Sequence, residues 1–284
     1  MISFPGLAMA FLRALPVHAL SRLAGRGVSL PLPSALRAPA CRAFAGIFGA
    51  NLDEVERPLA EYASIQDFFV RRLAAGARPV DPAPDAWVAP CDGAWGESGT
   101  IERGQLLQVK GRPYALSDLL GDAEAARAFE GGAFATLYLA PRDYHRFHTP
   151  CAAHVLRAVH LPGSLWPVNR IGLEGVDGLF AENERIVAFF AREGAEAEFA
   201  IAAVGATMVG KVHVTFDDLT TNLGSGPPRW RHYDEAPAFE KGEEWGRFEF
   251  GSTLVIAARP GALVLDAQPV GAPLRLGARI GTLG

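Results

Sequence analysis

Beyond Pro84 the chain is a succession of short apolar runs, each closed by glycine, proline or polar residues. The runs cover 87–89, 133–140, 154–161, 185–190, 198–204, 208–216 and 253–258. They are too short for globular helices, and several alternate or are rich in Val, Ile and Phe, which predicts strands. Only 115–129 is long and polar enough to read as a helix within this region. A mostly β domain over 81–284 follows. The Gly/Ser/Pro stretch 222–228 reads as a mobile loop.

Residues 1–80 have a different character. Arg13, Arg22, Arg26, Arg37 and Arg42 all precede the first acid, Asp53, and are interspersed with Phe, Leu, Ile and Met. Pro16, Pro31, Pro33 and Pro39 divide this segment, which predicts short helices broken at the prolines. A basic, apolar segment suits either an anionic membrane surface or helices packed on the parent domain. Further on, Ser64-x-x-Asp67 followed by Phe68, Phe69 and Leu73 reads as a capped connecting helix with Arg71 and Arg72 exposed.

The totals exclude several classes. A chain of 284 residues with 49% apolar composition can bury a large core, so disorder is excluded. A net charge of -4 without Lys/Arg-rich blocks excludes a nucleic-acid binder. Cys41, Cys91 and Cys151 are odd in number and widely spaced, which argues against a disulfide framework or a zinc site and fits a reducing, cytoplasmic compartment. The first uncharged stretch stops at Arg13, too short to cross a bilayer, and no positive region precedes it as in a signal peptide.

Three features can carry chemistry. Asp92, in Pro90-Cys91-Asp92-Gly93, stands at a strand end in a tight turn, where an aspartate can also simply bond its own backbone. His145 and His148 lie in the polar loop that follows the run ending at Ala140, and acid-base work suits them better than metal binding with Asp143, because no further strong ligand stands out. His18, His154, His160, His213 and His232 are isolated and read as surface or satisfied interior residues. Ser252, in Gly251-Ser252-Thr253, opens the last long apolar run. Asp92, a loop histidine and Ser252 would make a nucleophilic set, yet the Gly-x-Ser-x-Gly elbow is missing. One acyl group always lies beside that serine, the carbonyl of the unobstructed Gly251.

With these residues assembled, the sequence resembles the bacterial, membrane-associated, pyruvoyl-dependent phosphatidylserine decarboxylases. The resemblance runs through residues 64–71, 90–93, 138–150, 179–185, 204–210 and 241–248 into Gly251-Ser252-Thr253, with Phe250 where the family's cleavage motif has leucine. It implies an α+β fold in which antiparallel and mixed sheets form the catalytic domain behind an N-terminal helical, membrane-surface segment. It further implies that His148, oriented by Asp92, deprotonates Ser252, which attacks the Gly251 carbonyl. The resulting ester eliminates, giving a β chain 1–251 and an α chain whose residue 252 becomes a covalent pyruvoyl group with loss of ammonia. That ketone would form a Schiff base with phosphatidylserine and accept the electrons released with carbon dioxide. His145 is the candidate for acid-base help in this second stage. The implied partners are phosphatidylserine, an anionic membrane surface on its cytoplasmic face, the chain's own cleaved halves as a heterodimer, and a higher oligomer of such pairs. A pyruvoyl decarboxylase of a soluble amino acid, an uncut Ser-His-Asp hydrolase and a non-catalytic membrane-binding domain are the rival readings.

Overall fold

The computed structural model describes residues 25–108, 111–194, 196–207, 211–222, 226–249 and 252–284, with the backbone alone described at Arg170 and Ser252. The helices expected over 1–24, the first part of the 208–216 run, the centre of the 222–228 loop and the Phe250-Gly251 pair lie outside the described residues.

Helix α1 (Ser34–Phe48) follows Pro33 and stops at Gly49, whose φ of 81° is the left-handed conformation that closes many helices. Pro39 was expected to break this segment, and the helix instead runs through it. Proline withdraws one N–H from the ladder. Immediately downstream, however, Cys41 and Phe44 are buried against Tyr62, Phe68 and Phe69, and this packing carries the helix past the lost bond. Helix α2 (Ile65–Phe69) is capped as the Ser-x-x-Asp spacing predicts, with the Asp67 amide donating to Ser64 Oγ at 3.1 Å. Because α2 ends early, Arg71 turns inward rather than staying exposed. It is buried, and its Nη2 donates to the carbonyls of Arg142 at 2.9 Å and Asp143 at 3.2 Å.

The single helix expected over 115–129 is two, α3 (Leu116–Leu120) and α4 (Ala123–Ala128). Gly121 takes a φ of 66° and ends the first, and the Asp122 carboxylate then accepts from the Glu124 and Ala125 amides to start the second. Two further short helices, α5 (Arg170–Gly175) and α6 (Leu179–Glu182), come later.

The strands in chain order are β1 (Ala86–Val88), β2 (Gly93–Thr100), β3 (Gln105–Gln108), β4 (Arg112–Ala115), β5 (Ala133–Leu139), β6 (Arg146–His148), β7 (Ala153–Leu161), β8 (Arg185–Ala191), β9 (Phe199–Val204), β10 (Val212–Val214), β11 (Arg229–His232), β12 (Ala238–Phe239), β13 (Glu244–Phe248), β14 (Ser252–Ala258), β15 (Val264–Leu265), β16 (Pro273–Leu274) and β17 (Arg279–Thr282). The fold is α+β and mostly β. Its main sheet is antiparallel and runs β11-β7-β8-β9-β14-β5-β2-β16, with β12 also on β7. A smaller sheet, β10-β13-β6, and another, β1-β17-β15, pack on one face of it.

Alternate residues of the main sheet separate two cores. Leu137, Ile186, Ala203, Leu254 and Ile256 face the small sheets and meet Trp87, Phe147, Trp245 and Phe248. Val187, Phe189, Val204, Val255 and Ala257 face the helices and meet Leu116, Leu119, Leu179 and Phe180. Both faces are covered, so β8 and β9 are buried at every position, and their sequences read as continuous apolar runs rather than alternations. Strand β14 lies at the centre, registered over six positions with β5 and over six with β9.

Candidate active site

The main-sheet register places Ala94, Tyr138, Thr253, Val204 and Arg185 side by side across five strands. One position further along, the backbone of Ser252 lies opposite Leu139, the last residue of β5. The loop carrying the two histidines leaves from that residue. At the neighbouring strand end Gly93 has a φ of 150°, and a Cβ there would fall 2.0 Å from the Tyr138 carbonyl oxygen. Only glycine fits this approach. The Asp92-Gly93 pair is therefore dictated by contact between β2 and β5, and it delivers the Asp92 carboxylate to the same end of the sheet as Ser252.

Asp92 does not bond its own turn. Its carboxylate accepts from Arg78 Nε at 2.8 and 3.0 Å, from Arg78 Nη2, and from the Leu276 amide at 2.9 Å. Arg78 Nη2 also reaches Glu54 at 2.8 Å. Burial disfavours the Arg78 charge, but the two carboxylates outweigh it and hold the guanidinium ionised. Removing one member of so enclosed a pair strands the other, at a typical cost of about 3–5 kcal/mol.

The loop after β5 is locked by its own backbone. The Ala140 amide donates to the Asp143 carboxylate at 2.6 Å, and the Asp143 amide donates back to the Ala140 carbonyl at 2.9 Å. Burial raises the Asp143 pKa, with the Ala140 amide opposing it. This turn drives His145 inward. Its ring lies 3.9 Å from that of Phe69, centroid to centroid, and is wholly inaccessible to solvent. Nδ1 lies 2.8 Å from the Asp143 carbonyl, which assigns the proton to that nitrogen and leaves Nε2 as an acceptor with no partner among the described residues. Burial, reinforced by the nearby Arg71 charge, lowers the His145 pKa to about 3, so the imidazole is neutral at physiological pH.

His148 ends β6, three residues later, and its Nδ1 lies 2.9 Å from the Gly242 carbonyl. By the same reasoning Nδ1 donates there, and Nε2 accepts from the Tyr144 hydroxyl at 3.3 Å. Burial lowers the pKa of His148, with the Gly242 carbonyl opposing the shift. Unlike His145, His148 opens onto a cleft of about 530 Å³ whose walls include Arg72, Arg78, Tyr144, Gly242 and Glu244.

Of the residues singled out from sequence, the fold brings Asp92, the histidine loop and the Ser252 backbone to one end of the sheet. It does not join Asp92 to His148. The aspartate bonds Arg78 and Leu276, and a backbone carbonyl orients the histidine. Sequence reading missed Arg78, Arg71 and Tyr144. Arg78 lies between Gly76 and Pro79 and reads as a helix stop, whereas Tyr144 sits inside the histidine motif and could have been found there.

Residues 65–282 match the phosphatidylserine decarboxylase family. The chain is 38% identical over 276 residues to a phosphatidylserine decarboxylase proenzyme of Myxococcus xanthus, and 42% identical over 278 residues to one of Anaeromyxobacter sp., in each case covering 97% of this chain and 98% of the relative. A proenzyme of the same name from Azoarcus sp. is 43% identical over 247 residues, 85% of this chain and 84% of the relative. With the family match spanning most of the chain and relatives covered over nearly their full length, the chain belongs to the phosphatidylserine decarboxylase family.

Proposed function

We propose that the chain is a proenzyme that cuts itself between Gly251 and Ser252 and then decarboxylates phosphatidylserine to phosphatidylethanolamine, using a pyruvoyl group derived from Ser252. The observation that carries this reading is the position of Ser252 at the first residue of the central strand, opposite the residue from which the histidine loop departs. Strand β14 is held by β5 and β9 along its whole length, so an α chain starting at residue 252 stays paired after the cut. The relatives are each called a proenzyme, which supports a self-processed product.

The site suits a covalent carbonyl group at residue 252. Its new N-terminus would lie at a strand end, opposite the residue from which the loop of a neutral histidine departs, and the buried Nε2 of that histidine has no partner among the described residues. When formed, that group supplies a ketone that engages the substrate amine and accepts the electron pair left by carbon dioxide. The remaining work falls to side chains. His148, neutral and donating through Nδ1 to Gly242, offers Nε2 as the base for the Ser252 hydroxyl in the cleavage stage. Asp92, clamped by Arg78, supplies fixed negative charge near that base instead of a direct hydrogen bond. His145 accepts and returns a proton during decarboxylation, in a pocket closed by Phe69.

The lipid substrate requires access to a membrane surface. Leu30, Leu36, Ile47 and Phe48 are exposed on and around α1, together with Arg26 and Arg42. Apolar side chains flanked by arginines favour an anionic leaflet. Among the described residues no helix is long and apolar enough to cross a membrane. We assign these residues, with the preceding basic segment, to peripheral contact at the cytoplasmic face, and residues 81–284 to the catalytic domain.

Intact-mass measurement of the purified protein tests the cleavage. Two fragments meeting at Gly251/Ser252, the smaller blocked at its N-terminus, are expected, whereas one full-length species that decarboxylates phosphatidylserine would overturn the mechanism. Carbon dioxide release from phosphatidylserine vesicles should far exceed that from free serine. The reverse preference would transfer the assignment to a soluble amino acid.

A further inference from the structure

The chain changes sheets across the bond assigned to cleavage. Strand β13 belongs to the small sheet and β14 to the main sheet, and only Glu249, Phe250 and Gly251 separate Phe248 from Ser252. The upstream side is pinned twice through its backbone. The Phe248 amide donates to the His145 carbonyl at 2.9 Å, and the Glu249 amide donates to the Lys211 carbonyl at 2.8 Å. A third attachment is made by a side chain: Glu249 Oε1 lies 2.8 Å from His213 Nε2, both groups half-buried. The Glu249 carboxyl is held below the usual range, since the His213 bond together with Arg247 and Lys211 outweighs a burial penalty.

His213 is itself firmly placed. It sits on β10 opposite Arg247 of β13, and it bridges to Thr220. The Val212 amide donates to Thr221 Oγ1 at 2.9 Å, and Thr220 Oγ1 donates back to the Val212 carbonyl at 2.9 Å. Asn222 donates its amide to Glu184 at 2.8 Å, and Glu184, just before β8, pairs at 2.8 Å with His160 of β7 in the main sheet. A continuous path of bonds therefore runs from the main sheet through residues 220–222 and β10 to Glu249. Val212 and Val214 face the core, so His213 projects from the opposite face of the small sheet.

Resting on the cleavage reading above, we propose that the His213–Glu249 side-chain contact is a positioning clamp for self-processing. It fixes the chain two residues before Gly251 so that the scissile carbonyl is held for attack, and it takes no part in decarboxylation once the bond is cut. Positioning of this kind is worth large factors when a reacting group would otherwise wander by about an ångström. Neither residue was marked by sequence, where His213 stood as an isolated histidine.

The test follows processing and turnover separately in Glu249→Ala, His213→Ala and Glu249→Gln chains. Precursor made by pulse-labelled in vitro translation is followed by gel to completion of cleavage, and decarboxylation of phosphatidylserine vesicles is then measured per cut chain. Both alanine variants should be cut about tenfold more slowly, with kcat and KM per cut chain unchanged. The glutamine variant keeps an acceptor for His213 Nε2–H and should be cut at close to the wild-type rate. Melting temperatures of the same substitutions in the uncut Ser252→Ala background control for folding and should match the parent within a few degrees. Wild-type cleavage rates in the alanine variants would overturn the clamp. So would a glutamine variant as slow as alanine, or losses of processing and turnover in equal proportion. A wild-type chain not cut at Gly251/Ser252 would remove the cleavage reading itself, and the clamp with it.

Discussion

The pocket around His145 and the cleft around His148 are built from one loop, three residues apart, yet they present imidazoles of opposite character. Both rings donate Nδ1–H to a backbone carbonyl, Asp143 in one case and Gly242 in the other, so both offer Nε2 as an acceptor. What differs is access. His145 is sealed under Phe69 beside the buried Arg71, and its pKa falls to about 3. His148 borders solvent and has Glu244 and Asp92 nearby to support its protonated form. A fixed tautomer is thus common to both, while contact with solvent and the nearby carboxylates belong to the cleft. The cleft histidine suits the proton removal that starts cleavage. The sealed one must wait for a group that can use its unpartnered Nε2.

The sharpest break of this comparison removes the shared target. Ser252→Ala should leave the chain uncut and without decarboxylase activity, and efficient cutting in that variant, measured by intact mass, would sink the nucleophile assignment. Next, His148→Ala should slow processing by about 10²–10⁴-fold, the usual worth of a positioned general base. His145→Asn should process at a rate close to the parent and then lose about 10²-fold in decarboxylation per cut chain. If the two variants exchange these phenotypes, the contrast drawn from burial is wrong.

The same contrast has a thermodynamic form. From the ordinary histidine value of about 6.5 down to about 3, an unfolded chain binds a proton at His145 that the folded chain refuses. The contribution of this group to stability is therefore complete above the upper limit, falls as pH drops through the window and levels off below it. The slope is about 1.4 kcal/mol per pH unit while the difference of one proton lasts. His145→Asn, compared with its parent in the uncut Ser252→Ala background, should unfold in urea with a shallower loss of stability between pH 6 and pH 4. An unchanged slope would mean that His145 titrates normally in the folded chain.

How much of this was legible depended on whether the signal was local. The apolar runs at 133–140, 185–190, 198–204 and 253–258 became β5, β8, β9 and β14 with ends shifted by at most one residue, because buried central strands are apolar throughout. Strand β2, Gly93-Ala-Trp-Gly-Glu-Ser-Gly-Thr100, was missed: Gly93 and Gly96 are required by close approach to β5, a neighbour distant in sequence. The break at Gly121-Asp122 was visible in the residues but was outweighed by the surrounding helix formers. At the site, Asp92 and the histidines could be read from their turn and loop. Their partners could not, since Arg78, Leu276 and Gly242 reach them only through the fold.

The smallest effect tests how far His148 depends on its own loop. The Tyr144 hydroxyl donates to Nε2 at 3.3 Å, a long bond that uses the lone pair needed to accept a proton. A bond to that lone pair exists only while the imidazole is neutral, so it lowers the proton affinity of His148. Gly242, Glu244 and Asp92 act in the other direction, and Arg146 acts with Tyr144. Tyr144→Phe removes the hydroxyl and keeps the ring, which packs 5.7 Å from that of His148, centroid to centroid. The acid limb of the processing rate should then move to higher pH by a few tenths of a unit, with at most about a threefold change in rate at neutral pH, in keeping with the modest net worth of one neutral hydrogen bond. A hundredfold loss would instead make Tyr144 a member of the proton path, and the separation between a solvent-facing base and a sealed one would no longer account for the two histidines.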